Sequence, residues 1–156
     1  MATDDEKKRN MVRLLNMTLL GVTKGVWDFV GETSFALSQK IGNEILKMME
    51  KEMGLEIAGE NHSDVINEIC RLFVDEFGFA RNIDVNEEDG VITLNVQHCL
   101  NSKLNDQLLE AGIEKSFICP IMNALVAAFK RMNIRARQDI CKNPEGNGSI
   151  ITLELM

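Results

Sequence analysis

From Asn10 to about Val30 apolar residues recur at steps of three and four, with Val12, Leu15, Leu19, Val22, Val26 and Phe29 in one stripe. That period predicts an amphipathic helix, preceded by a charged, frayed lead over 1–9. Gly21 and Gly25 sit four apart in it, where they admit a close neighbour or mark a kink, and Gly31 allows a break. A second helix is predicted from Thr33 or Ser34, with Leu37, Ile41, Ile45, Met48 and Glu52 along one face and Gly54 as its stop. A third begins at Ser63, a good N-cap, buries Val65, Ile66, Ile69, Leu72, Phe73 and Phe77, and ends at Gly78.

The period then drops to two. "FARNIDVNEEDGVITLNVQHC" reads as strand, turn and strand, with Asp89-Gly90 as the turn. Strict alternation puts Ile92, Leu94, Val96 and His98 on one face and Cys99 on the other. A short helix is expected around Lys103–Leu109, closed by Gly112. Pro120 suits a first helical position, which makes Cys119 the N-cap of a helix to about Met132, with Asn133 as its stop. "NIRARQDIC" and "SIITLEL" then pair across the turn "KNPEGNG". The predicted class is α+β: N-terminal helices packed on an antiparallel sheet of about four strands, made of two hairpins separated by a helix. A single domain over 1–156 is expected, with N-terminal helices over 10–60 and a core over 63–156.

Composition narrows the function. The net charge is −7, and Lys130, Arg131, Arg135 and Arg137 make only a small local basic cluster, so no nucleic-acid role is expected. No apolar run approaches the roughly 18 residues of a membrane span, and the charged start does not read as a signal peptide, which points to the cytoplasm. Nine Met, one Trp and no Tyr give a soft, aromatic-poor interior.

Four cysteines in that compartment are reduced, metal-bound or reactive rather than paired. Cys119 at a helix start feels the positive end of the helix dipole, which favours a thiolate. The alternative is a small buried thiol. Cys99, Cys119, Cys141 and His98 form a candidate zinc set if the strand ends meet the helix start, although no C-x-x-C pair exists and His98 and Cys99 point to opposite faces of a regular strand. Cys119 as nucleophile would take His98 as its base. Cys70 reads as packing, His62 as exposed, Glu87 to Asp89 as a solvated turn, and Asp139 as an ion-pair partner of Arg135 or Arg137.

"DEFGFARNIDVNEEDGVITLNVQHCLNS" and "SFICPIMNALVAAFKRMNIRARQDICKNPEGNGSIITLEL" together resemble the 4-vinyl reductase-type small-molecule-binding domain family, related in fold to TRAPP tethering subunits, over residues 63–156. The resemblance implies zinc ligands at Cys119 and Cys141, but puts Gln138 and Ser149 at the other two ligand positions. Cys99, His98 or Asp139 would have to substitute. It also implies a pocket for an apolar or aromatic ligand, with Trp27, Phe73, Phe77, Phe117, Met122, Leu125 and Phe129 as candidate lining. The leading expectation is therefore a small-molecule-binding or sensory domain that signals through a homodimer or a partner protein. A cysteine-dependent small hydrolase and a structural TRAPP-like interaction module are the alternatives.

Overall fold

The computed structural model describes all residues 1–156. Five α-helices and four strands follow in the order α1 (Asp4–Val30), α2 (Ser38–Lys47), α3 (His62–Arg71), β1 (Asn82–Glu88), β2 (Val91–Gln97), α4 (Ser102–Glu110), α5 (Pro120–Arg131), β3 (Ala136–Lys142) and β4 (Gly148–Leu155). The strands form one antiparallel sheet in the order β1-β2-β4-β3. Each hairpin therefore contributes one inner and one edge strand. No helix is long and apolar enough to cross a membrane.

The main core lies between the sheet and helices α2, α3 and α5. Ile92, Leu94 and Val96 of β2 and Ile151 and Leu153 of β4 turn inward onto Leu46, Ile66, Ile69, Met122, Leu125 and Phe129. A smaller core joins Leu104 and Leu108 of α4 to Ile113, Phe117 and Ile118, with Leu19, Leu20, Val26 and Trp27 of α1 packed against it.

Four local features differ from the sequence pattern. The chain from Gly31 to Leu37 winds as a tight 3-10 stretch before α2, and α2 and α3 each end in a wider π-type turn, Met48–Glu52 and Leu72–Glu76. The buried face of α2 is Ser38, Gly42 and Leu46, whereas Leu37 is exposed and Ile41, Ile45 and Met48 are half-buried. The N-cap of α3 is Asn61, whose side chain accepts from the Asp64 N–H at 3.0 Å, two residues before the expected Ser63. Finally, β2 stops at Gln97 and His98 adopts φ 51, so the alternation breaks there.

Candidate functional site

That break decides where two candidate residues go. The left-handed backbone at His98 leaves its side chain exposed and turns Cys99 inward, where it joins the main core. A regular strand would have done the reverse. Cys119 takes the expected N-cap position ahead of Pro120 and packs against the same core. Burial pushes its thiol up to about 12, and the nearby Cys99 sulfur adds to this; the N–H groups of Met122 and Ile121 at the helix start pull the other way and lose. The dipole argument has the right sign, but desolvation outweighs it. Cys119 is therefore a thiol rather than a thiolate at neutral pH. Cys99 is raised as well, chiefly by burial, against the N–H of Asn101 that donates to its sulfur at 3.3 Å.

The remaining cysteines lie elsewhere. Cys70 is buried on α3, with its thiol pushed up to about 12 by burial, and Cys141 is exposed on β3. Asp139 pairs with Lys115 at 2.9 Å, while Arg137 lies 3.8 Å from Glu154. Ser149 is buried and accepts from the Asn105 side-chain amide at 3.4 Å. Nowhere do three His, Cys, Asp or Glu side chains converge as a metal would require, so the zinc set of Cys99, Cys119, Cys141 and His98 is overturned. The physical reason is that Cys119 and Cys99 face the core while His98 and Cys141 face outward.

This arrangement predicts a sharp reactivity contrast. Alkylation at neutral pH followed by peptide mass mapping should label Cys141 at least ~100-fold faster than Cys70, Cys99 or Cys119. Fast labelling of Cys119 would restore it as a nucleophile.

The seven candidate lining residues fall in two places. Phe73, Phe77, Met122, Leu125 and Phe129 belong to the main core, whereas Phe117 lies in the smaller core with Trp27 packed against it. Only Phe129 also lines one of the larger surface clefts. This is a groove of about 580 Å³ between the end of α5 and β3, walled by Val126, Phe129, Ile134, Ala136 and Met156 and rimmed by Lys130, Asn133 and Arg135. Asn133 turns the chain with φ 58, and Ile134 N–H donates to Phe129 O at 2.9 Å, which holds the turn under α5. Met156 N–H donates to Arg135 O at 2.9 Å and pins the chain's last residue to the wall. Lys130 donates to Gln39 at 2.8 Å, and Arg135 makes no ion pair. The sequence shows Arg135 as part of a basic cluster and as a partner for Asp139, which pairs with Lys115 instead; that Met156 folds back beside Arg135 has no local signal.

His62 and Glu87, read as exposed and solvated, instead meet at 3.0 Å and tie the start of α3 to β1. The His62 ring stands edge-on to Phe129 at 6.3 Å between centroids.

Fold and site together define an α+β module in which a two-hairpin sheet carries a surface groove, with its buried thiols held protonated. The chain belongs to the family described as "Putative rubredoxin C-terminal domain", whose model matches residues 14–156. It is also similar to the uncharacterized protein MJ0758 of Methanocaldococcus jannaschii, 27% identical over 112 residues, covering 72% of this chain and 67% of that one. The family match overturns the resemblance to 4-vinyl reductase-type domains and, with it, the TRAPP-like reading. What suggested that resemblance was an element order and a Cys-Pro helix start, and both follow from general α+β and helix-start chemistry rather than from one family. An all-thiolate iron centre takes four converging cysteines. The four here do not fit one: no C-x-x-C pair exists and the thiols are scattered between core and surface.

Proposed function

We propose that this chain is a non-catalytic binding module that takes a small amphipathic organic anion in the groove beside Phe129. The observation that carries this reading is the groove itself, with apolar walls and two cationic groups, Lys130 and Arg135, at its rim. Its volume of about 580 Å³ falls within the range of small-molecule sites, which are mostly apolar with a few placed polar groups. The walls would cover a ring or short alkyl chain, and Arg135, free of carboxylate partners, would hold a carboxylate bidentately. A protonated Cys119, with His98 exposed and making no hydrogen bond to it, favours binding over hydrolysis.

The test is a titration of nitrogen-15-labelled protein with benzoate, phenylpropionate and hexanoate, read by amide shifts. Shifts should cluster at Phe129–Ala136 and Met156, and Arg135→Ala should weaken binding about tenfold or more. A native mass spectrum of gently purified protein should show an organic mass excess that Ala136→Trp removes. Shifts confined to other elements, or equal affinity in Arg135→Ala and Ala136→Trp, would sink the reading.

A further inference from the structure

Helix α1 is 27 residues long, yet no residue before Asn16 is even partly buried. Only its second half touches the rest of the chain, through Leu19, Leu20, Thr23, Val26 and Trp27. A capping box closed by Thr3 and Glu6 starts the helix, but a first half that packs against nothing has little to stabilise it in water. What α1 leaves open is ordered. Met11, Leu15, Thr18, Val22, Gly25 and Phe29 are spaced four and three apart in strict alternation, which is a two-position heptad seam. Met11, Leu15 and Val22 are each more than half exposed, and Phe29 is 91% exposed. Leu14 and Gly21 flank the seam on its outer side, and a side chain added at Gly21 or Gly25 would meet nothing within 4 Å. Met11, Leu14, Leu15, Val22 and Phe29 together offer on the order of 600 Å² of exposed surface, the lower end of the share each partner gives to a standard interface.

We infer that this seam is covered by α1 of a second copy of the chain, in antiparallel register with the two-fold axis beside Gly21. The seam is complementary to itself in that direction only. Antiparallel pairing sets Leu15 opposite Gly25 of the second copy, Val22 opposite Thr18 and Phe29 opposite Met11. Each large side chain thereby meets a smaller or more flexible one, and all six layers are filled. Gly21 meets Gly21 across the axis and lets the backbones approach. A parallel pair would stack Gly25 on Gly25, leaving a gap, and Phe29 on Phe29. It would also face Lys8 with Lys8 and Asp4 with Asp4, like charges on the seam. In the antiparallel pair Lys8 instead runs past the end of the second helix toward the exposed Glu32. Leu20, Thr23 and Trp27 lie on the other face of α1, and Leu19 and Val26 border the seam on the side that faces the smaller core.

The experiment is sedimentation equilibrium of the full chain at about 1–100 µM, with Val22→Glu beside it. The chain should be a dimer, and Val22→Glu should weaken it at least ~100-fold while leaving the melting of the sheet and its helices in place, because Val22 touches no core. Direction is read by oxidative cross-linking in a Cys141→Ser background. Mixed Leu15→Cys and Gly25→Cys chains should form a disulfide between them, and neither variant alone should cross-link to itself. A monomer across the whole range, a dimer that Val22→Glu leaves intact, or a Leu15→Cys chain that cross-links to itself would each overturn the inference. Capture of a different protein on α1 with the chain itself monomeric would do the same.

Discussion

Replacing Gly42 with alanine should destabilise the fold by about 2–3 kcal/mol and lower its thermal midpoint by about 5–10 °C. Gly42 lies where α2 crosses α5. A Cβ built there would sit 1.9 Å from the backbone oxygen of Asn123, 2.6 Å from its carbonyl carbon and 2.8 Å from the Ala127 side chain. The nearest atom is helix backbone, so no rotamer change relieves the clash. Reaching an ordinary contact near 3.4 Å requires the helices to part by about 1.5 Å. Leu46, Met49 and Leu125, all at 0% exposure, would lose contact with their neighbours as that gap opens. Alanine's better helix propensity returns about 1 kcal/mol, which is included in the net figure. The damage should also reach the start of α5, because Asn123 donates through its side chain to Phe117 O at 2.9 Å and through its backbone to Cys119 O at 3.0 Å. Urea or thermal unfolding checks this, with Gly146→Ala as the control; Gly146 has nothing within 4 Å and should change stability by less than about 0.5 kcal/mol. A Gly42→Ala chain as stable as the parent would mean that the two backbones do not touch.

The same contact explains why one helix face was misread in the sequence. Hydrophobic periodicity finds faces that bury side chains in side chains. The face of α2 that meets α5 is Ser38, Gly42 and Leu46, with buried Ser34 one turn earlier, and its value is that it is small. A period count assigns such a face to solvent. Stops and turns are legible because their chemistry is local, although the N-cap of α3 is Asn61 rather than Ser63. Gly54, Gly78, Gly112 and Asn133, expected as stops, all have positive φ, as does the Asp89-Gly90 turn. The four strands, their pairing into hairpins and the Pro120 helix start were equally legible.

The candidate site was less legible because each of its properties depends on residues far apart in the chain. The fate of His98 turned on one left-handed backbone angle that alternation does not register. Whether Cys119 ionises depended on the core around it, not on the helix start that precedes it. The candidate lining residues pack in the two cores, and periodicity cannot say which apolar residue lies next to a groove. The groove forms because the turn at Asn133 and the return of Met156 leave space beside α5, with the buried Phe129 at its base.

The buried thiols lead to the second large effect: stability should fall steeply as pH rises above about 9. Burial raises Cys70 and Cys119 from the ordinary 9.0 to about 12 in the folded chain. Unfolding returns both to water and to the ordinary value. Below pH 9 both states carry the protons and stability does not depend on these groups. Between 9 and 12 the unfolded chain holds fewer protons than the folded one, so each step up in pH favours unfolding. The full gap corresponds to about 4 kcal/mol per thiol, and by pH 10.5 about 2 kcal/mol per thiol is lost. Two such thiols together remove about 4 kcal/mol, a large part of the 5–15 kcal/mol that holds a typical domain. Cys99, raised in the same direction, adds to the trend. Urea unfolding at pH 7.5, 9 and 10.5 should show little change over the first interval and a marked drop over the second. The double variant Cys70→Ala, Cys119→Ala should begin less stable at pH 7.5, because each change leaves a small cavity, yet lose about 3 kcal/mol less between pH 9 and 10.5. Cys141→Ala, which removes an exposed thiol, should keep the parent's slope. Equal slopes in the parent and the double variant would mean that these thiols ionise as readily inside the fold as outside it, and that the space around Cys119 is wet enough to hold a thiolate.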